Sequence, residues 1–294
     1  MSGCFNLADA QTYARWREQK LDTAPRRLAD IVVEVDDPRT LQTPERQRII
    51  ALNACCNMAI YVGKTGTDSD KEIPRKLGIQ LGLTHIDSHW LTDDDAISPI
   101  SVAGTTERGE RKEFIPYTDK PIKWHTDGYY NAPERTIRGL LLHCVQSAAA
   151  GGTNQLLDHE IAYILLRDEN PDFVRALSSP DAMTIPARMG EEGVARPAQP
   201  GPVFSVDAGG FLHMRYTART VSIAWRDDPL TQAAIAALAR ILAKPTSWTL
   251  QGRLEPGMGL ICNNVLHDRS SFAETTDQRR LLYRARYYDR IATA

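Results

Sequence analysis

The chain has 294 residues, of which 42% are hydrophobic, so it can bury a sizeable core. Its 35 basic and 37 acidic side chains give a formal net charge of −2, and this mixed balance argues against a nucleic-acid groove or a surface for anionic membranes. No apolar run approaches the length of a membrane span, and the opening residues lack the basic and apolar regions of a signal peptide.

The N-terminal sixty residues predict helices and strands in alternation. Apolar and aromatic residues recur at helical spacing over 7–20, and residues 31–35 are typical of a strand. Thr43 and Pro44 predict the start of a second helix, with Thr43 as its N-cap. We expect this helix to run to about Cys56 and to be followed directly by a strand.

The cysteines bear on the cellular compartment. The chain has five of them, an odd number, with no C-x-x-C spacing. We interpret the neighbouring Cys55 and Cys56 as small core residues rather than as a vicinal disulfide. This usage favours a reducing, cytoplasmic location.

Strands dominate the second half of the chain, although helices interrupt them. A long buried strand is predicted over 136–145, and helices are predicted over 158–167 and 230–242. No repeat, low-complexity tract or convincing linker is present. We therefore expect one domain over 1–294, with an N-terminal helical and strand extension over about 1–40.

The segment His125-Thr126-Asp127 carries the strongest chemical signal. Side chains alternate across a strand, so His125 and Asp127 project from the same face. A second imidazole, His267, follows a short apolar strand pattern over 259–262. Two imidazoles and one carboxylate form a facial triad that leaves three coordination positions open, which suits non-haem Fe(II) activating O2. We predict that these three residues bind the metal.

Four segments together resemble one enzyme family. In chain order they are Trp124-His125-Thr126-Asp127-Gly128, Gly151-Gly152-Thr153-Asn154, Asn264-Val265-Leu266-His267 and Gln278-Arg279-Arg280-Leu281-Leu282-Tyr283-Arg284. They resemble the taurine dioxygenase and 2,4-dichlorophenoxyacetate dioxygenase family of Fe(II)/2-oxoglutarate enzymes, over roughly residues 45 to 290. The resemblance implies a mainly β fold with helices, in which a double-stranded β-helix (jelly roll, cupin-like) core is flanked by α-helices.

Two arginines near the C-terminus have roles that the resemblance implies. Arg280 would bind the distal carboxylate of the cosubstrate 2-oxoglutarate, and Arg284 would face an anionic group of the substrate. On a strand the two lie on one face about 13 Å apart, at roughly 3.3 Å per residue. The planar guanidinium suits both tasks because it binds such anions bidentately. A solvated, charged strand edge is the alternative.

The glycine pair departs slightly from the family pattern. Family members usually carry Gly-Gly-x-Thr, and the Thr hydroxyl helps to hold 2-oxoglutarate. Here Asn154 stands at the Thr position, with Thr153 beside it. Asn offers a comparable hydrogen bond, so Thr153, Asn154 or neither contacts 2-oxoglutarate, and a purely structural turn is the alternative.

Five further residues are candidates around this site. Tyr129 and Tyr130 would form part of the pocket wall, either enclosing a small cationic or apolar group or packing together. Arg215 would line the substrate pocket. Asn264 would hold the loop before His267 in place. Arg269 would support the metal ligands without contacting the metal itself.

The resemblance implies an oxidoreductase that uses Fe(II), 2-oxoglutarate and O2 and releases succinate and CO2. Its substrate would be a small anionic or zwitterionic molecule, and hydroxylation of a C–H bond is the expected outcome. Halogenating relatives lack the carboxylate ligand, so Asp127 argues against that reaction. Desaturation, epimerisation and C–X cleavage remain alternatives.

The partners and the rival functions follow from the same resemblance. We expect a small-molecule substrate and no nucleic-acid or membrane partner. Because related enzymes are often dimers or tetramers, a homo-oligomer is also possible. A non-catalytic or Zn-binding cupin-like protein is the remote alternative. A Zn-binding cupin-like enzyme gives no role to Arg280 and the glycine turn. A non-catalytic protein is expected to have a damaged triad, whereas all three ligands are present here.

Overall fold

The computed structural model describes residues 3–88, 92–102, 114–190, 193–221 and 223–291. The helices in these ranges are α1 (Ala10–Thr23), α2 (Thr43–Cys56), α3 (Glu72–Gln80), α4 (His159–Glu169), α5 (Pro171–Leu177) and α6 (Pro229–Ala243). Within the described part of the chain, no helix is long and apolar enough to cross a membrane.

Short strands account for most of the remaining regular structure. The first ten are β1 (Val32–Val35), β2 (Met58–Gly63), β3 (Ser98–Ile100), β4 (Ile122–His125), β5 (Gly139–Gln146), β6 (Ala150–Gly151), β7 (Asn154–Leu157), β8 (Met183–Ile185), β9 (Arg188–Gly190) and β10 (Gly193–Arg196). The others are β11 (Gln199–Gly201), β12 (Phe204–Val206), β13 (Leu212–Met214), β14 (Ala224–Trp225), β15 (Leu250–Gly252), β16 (Met258–Cys262), β17 (Leu266–Arg269), β18 (Phe272–Ala273) and β19 (Leu281–Tyr287). The prediction of a mainly β chain with helices is confirmed.

Two compact units are present in the chain. The helical unit comprises residues 1–24, 124–136 and 157–249, and the sheet unit comprises 25–123, 137–156 and 250–294. Each unit contains segments from distant parts of the sequence.

Two larger sheets contain the longest strands. One has the order β1-β2-β16-β5-β19-β3, and the other has the order β15-β7-β17-β4. In the first, β16 pairs antiparallel with both neighbours, so that Leu260 lies opposite Ile60 and Leu142. These central strands are almost continuously apolar. Their side chains are therefore buried and form the core of the sheet unit.

The helical unit has a separate aromatic core. The rings of Phe5 and Tyr163 meet edge to face with centroids 5.5 Å apart, and Tyr163 packs in the same way against Phe204 at 5.4 Å. Lys20 of α1 is buried and its ammonium lies 2.7 Å from the Asp158 carboxylate. Asp158 also caps α4 by accepting a hydrogen bond from the Glu160 backbone.

One local prediction was wrong. The N-cap of α2 is Gln42 and not Thr43, because the Glu45 carboxylate accepts the Gln42 backbone N–H at 2.7 Å and so begins the helix one residue earlier. Before β4, residues Ile115–Tyr117 form a short 3-10 helix. Pro116 has no N–H to donate to a sheet, and its fixed φ suits such a turn.

Candidate metal centre

The predicted metal ligands lie at the ends of two neighbouring strands. His125 is the last residue of β4, His267 lies in β17, and these strands are adjacent in the four-stranded sheet. Asp127 follows His125 by two residues. One nitrogen or oxygen atom from each of the three side chains lies within 4.8 Å of the others. The structure therefore brings together the three residues that the sequence singled out.

The chemistry of this donor set fits a divalent iron ion. His125 Nε2 lies 3.5 Å from Asp127 Oδ1, and the three side chains are buried or nearly so. His267 Nδ1 lies 2.9 Å from the Val265 carbonyl oxygen, which can only accept a hydrogen bond, so the ring N–H is on Nδ1. A histidine in this tautomer presents the lone pair of Nε2 to a metal. Two imidazoles and one carboxylate are the ligands of non-haem Fe(II) oxygenases.

Backbone pairing holds the His-x-Asp segment in an extended form. Thr126 donates its N–H to the Tyr216 carbonyl at 3.0 Å, and Tyr216 returns a hydrogen bond to the Thr126 hydroxyl at 3.1 Å. Trp124 accepts a further bond from the Ala218 N–H. Strand-like pairing keeps His125 and Asp127 on one face, as the alternation of side chains predicts.

The residues predicted to support His267 have specific contacts. Asn264 adopts a left-handed backbone with φ of 53°, and its buried amide donates to the Ile137 carbonyl at 2.7 Å. Arg269 is also buried, and one of its Nη atoms donates to the Thr118 and Lys120 carbonyls at 2.7 and 2.6 Å. Both side chains therefore fix the segments that flank β17.

Arg280 presents a buried guanidinium suited to a carboxylate. It is 6% exposed, and its Nη1 atom has no hydrogen-bond partner in the described part of the chain. Its Cζ lies 5.1 Å from the ring centroid of Phe272, and that of Arg269 lies 4.8 Å away. Burial lowers the pKa of Arg280 to about 10 and that of Arg269 to about 9. Two buried cations so close together favour an anion between or beside them.

The glycine pair is a tight turn beside Arg280. Gly151 and Gly152 have φ values of +73° and +71°, which glycine adopts without strain. A Cβ atom on Gly152 would lie 3.9 Å from Arg280 Nε. The Asn154 amide donates to the Asp268 carbonyl at 2.6 Å, and Asn154 lines a narrow cavity with His267.

Thr153 contacts its surroundings through its backbone. Its N–H donates to the Ser270 hydroxyl at 3.0 Å, and its carbonyl accepts from the Ser270 N–H at 2.8 Å. Arg284 is half-buried in β19, where it pairs with Leu142 and Ser98.

Tyr129, Tyr130 and Arg215 lie close together. The two tyrosine rings meet edge to face at 5.2 Å. Arg215 donates from Nε to the Tyr129 carbonyl at 2.7 Å, from Nη1 to the Met183 carbonyl at 2.9 Å and from Nη2 to the Gln199 carbonyl at 2.7 Å. Its guanidinium therefore ties the Tyr129 segment to β8 and β11.

Two other arginines, Arg196 and Arg219, lie near these tyrosines and belong to no recognisable sequence motif. Arg219 Nη1 lies 3.4 Å from the Tyr129 hydroxyl. Arg196, at the end of β10, lies within electrostatic range of both phenols. Only the pairing of distant segments places these side chains beside the His-x-Asp motif, so sequence analysis missed them.

A family model for taurine catabolism dioxygenases, the TauD, TfdA family, matches residues 86–286, more than half of the chain. The chain belongs to the TauD/TfdA family. The predicted resemblance is thereby confirmed, and every residue of the candidate metal site lies inside the matched range of this TauD/TfdA member.

Two curated relatives of this TauD/TfdA protein share one name. A uridine-5′-phosphate dioxygenase from Amycolatopsis is 33% identical over 56% of this chain and 60% of the relative. A uridine-5′-phosphate dioxygenase from Streptomyces is 29% identical over 63% of this chain and 68% of the relative. The chain thus spans less than two thirds of the first relative's length.

Solved structures show the fold. An asparagine oxygenase in complex with Fe(II), 3-hydroxyasparagine and succinate superposes with a TM-score of 0.60 at 14% identity, covering 84% of this chain and 80% of that one. A non-heme iron oxygenase, OrfP, in complex with Fe and alpha-ketoglutaric acid gives 0.59 at 18% identity, with the same coverage. The predicted jelly-roll core with flanking helices is confirmed.

Proposed function

We propose that the protein is an Fe(II)- and 2-oxoglutarate-dependent dioxygenase that hydroxylates a C–H bond of a nucleoside 5′-phosphate. One observation carries the proposal: the donor atoms of His125, Asp127 and His267 lie within 4.8 Å of one another in a TauD/TfdA chain. Bound iron, with 2-oxoglutarate and O2, supplies the oxidant and releases succinate and CO2.

The proposal gives each candidate side chain a role that its position supports. His125, Asp127 and His267 hold the metal and leave three positions for the cosubstrate and O2. Arg280 binds the distal carboxylate of 2-oxoglutarate through its buried guanidinium. Asn154 is the better second contact than Thr153, because its side chain lines a cavity with His267. Arg284 remains a candidate for the substrate.

The substrate class is supported by the relatives' names and by charge. Both curated relatives are named for uridine-5′-phosphate, which is small and anionic, as the predicted substrate is. We therefore propose uridine-5′-phosphate as the first substrate to test. Product analysis separates hydroxylation from desaturation, epimerisation and C–X cleavage.

The test is an anaerobic titration of the Fe(II)-loaded protein with 2-oxoglutarate, followed by uridine-5′-phosphate. A weak visible charge-transfer band should appear with the keto acid and shift when the nucleotide is added. On admission of air, succinate should form in proportion to the nucleotide consumed. Iron that binds without this band would contradict the proposed cosubstrate and favour a cupin-like protein of another class.

Three organisational predictions belong to the same proposal. The 294 residues act as one catalytic domain, the protein works in the cytoplasm, and it forms a homo-oligomer, a dimer or a tetramer. Light scattering after size exclusion measures the oligomeric state directly.

A further inference from the structure

A group of cationic and phenolic side chains lies in the helical unit beside the His-x-Asp motif. It contains Arg196, Arg219, Tyr129 and Tyr130. We call these four residues the arginine–tyrosine cluster. Tyr129 follows Asp127 by two residues, and Arg219 follows Thr217, which forms an isolated bridge with His125. The cluster is therefore linked to two metal ligands through the backbone.

The tyrosines of the cluster are held in a defined position. Gly128 turns the chain with φ of +69°, and Asn131 closes the turn by donating its N–H to the Gly128 carbonyl at 2.8 Å. Arg215 binds the Tyr129 carbonyl. The phenols thus project from an anchored backbone rather than from a free loop.

The charge of the cluster is not balanced by acidic side chains in the described residues. Arg196 is half-buried and donates to the Pro186 carbonyl at 2.9 Å, while its buried Nε atom has no acceptor there. Arg219 is exposed, and its Nη1 donates to the Tyr129 hydroxyl. For Arg196, the charged neighbours among the described residues are the two phenols and Arg188, and none of them is a carboxylate. Burial lowers the pKa of Arg196, and the Tyr129 and Tyr130 phenols oppose that shift.

Such a cluster matches the chemistry of a phosphate monoester. A guanidinium presents parallel N–H groups that bind phosphate oxygens bidentately, and a phenol adds one donor. We propose that Arg196 and Arg219, with the Tyr129 hydroxyl, bind the phosphate of the nucleotide substrate. This inference rests on the proposed function and names the residues that select a phosphorylated nucleoside over the free nucleoside.

The experiment is calorimetric titration of the anaerobic enzyme, loaded with Fe(II) and 2-oxoglutarate, with uridine-5′-phosphate and with uridine. The variants are Arg196→Gln, Arg219→Gln and Arg219→Lys. Arg240→Gln is the matched control, because Arg240 is an exposed arginine of α6 that pairs with Glu169.

Each Gln variant should raise the Kd for uridine-5′-phosphate roughly ten- to hundredfold, the effect of losing a charged hydrogen bond. The Kd for uridine should stay at the wild-type value, and so should the Kd for 2-oxoglutarate. Arg219→Lys should recover part of the loss, since it keeps the charge but not the bidentate geometry. Arg240→Gln should match the wild type in every titration.

The outcomes separate this inference from the proposed function. If the wild type binds uridine-5′-phosphate and forms succinate with it, but both Gln variants keep wild-type affinity, the arginine–tyrosine cluster is not the phosphate site. If the wild type binds uridine and its 5′-phosphate equally, the inference fails while the dioxygenase activity stands. If neither ligand binds and the charge-transfer band still forms with 2-oxoglutarate, both the nucleotide substrate and the inference are wrong.

Discussion

The proposed metal site takes its donor atoms from three side chains, those of His125, Asp127 and His267. His125 and Asp127 share a face because strand side chains alternate, a rule that needs no tertiary information. For His267 the sequence showed only the apolar strand pattern that precedes it, because nothing local pairs β17 with β4. Arg196 and Arg219 escaped detection because their place beside Tyr129 depends on contacts between distant segments.

His267→Ala should abolish the stabilisation that Fe(II) gives the folded protein. A ligand that binds only the native state raises the melting temperature, and removal of one of three protein ligands weakens that binding strongly. Anaerobic thermal unfolding with and without Fe(II) measures the difference. His85→Ala is the control, because His85 is an exposed imidazole paired with Asp289. An undiminished Fe(II) shift in His267→Ala would remove this residue from the metal site.

Arg280→Gln should raise the KM for 2-oxoglutarate at least tenfold, on the order of the 1.5–3 kcal/mol of a charged hydrogen bond, with less effect on the KM for the substrate. The reason is that the buried Arg280 Nη1 has no hydrogen-bond partner among the described residues and so is available to the carboxylate of 2-oxoglutarate. Arg284→Gln should instead act on the substrate. Steady-state kinetics with each ligand varied in turn decide between them. The reverse pattern would mean that the two arginines have exchanged roles.

At the scale of elements, the sequence predicted the strands and helices well and their ends less well. α2 begins one residue earlier than Thr43 suggests, because the side chain of Glu45, within the helix, binds the backbone of Gln42. Capping choices of this kind differ by about 1 kcal/mol, and sequence alone seldom resolves them. The glycine turn was evident from Gly151-Gly152, but its contact with β18 was not.

Gly151→Ala should destabilise the protein much more than Gly66→Ala. Both glycines have positive φ, which costs an alanine about 1–2 kcal/mol. A Cβ on Gly66 would meet open space, whereas one on Gly151 would collide with the Ser271 carbonyl oxygen of the neighbouring segment. Urea unfolding of the two variants isolates the steric part. Equal losses would show that the turn relaxes freely.

For the whole molecule, one buried imidazole should shape the response to acid. His143 is fully buried, and its Nδ1 lies 2.6 Å from the Tyr61 hydroxyl. Burial lowers the pKa of His143 from 6.5 to about 4. As the pH falls below 6.5, His143 becomes protonated in the unfolded chain, whereas in the native chain it stays neutral until about pH 4.

Stability should accordingly fall between pH 6.5 and 4, by up to about 3 kcal/mol from this group. His143→Gln should flatten the dependence of the unfolding free energy on pH over that window. Urea titrations at pH 7, 5.5 and 4.5 compare the variant with the wild type. Parallel curves would show that other groups govern the acid response.

Arg215 holds the backbone beside the arginine–tyrosine cluster in place. Its three donors each hold a different backbone carbonyl, and a Cβ at Gly201 would approach its Nη1 within 3.0 Å. Libraries that aim to retarget the enzyme to another anion should therefore randomise 196 and 219 and leave 201 and 215 untouched. Under the proposed phosphate site, substitutions at 196 and 219 change which anion is bound, whereas substitutions at 201 and 215 weaken the backbone contacts that hold the Tyr129 segment.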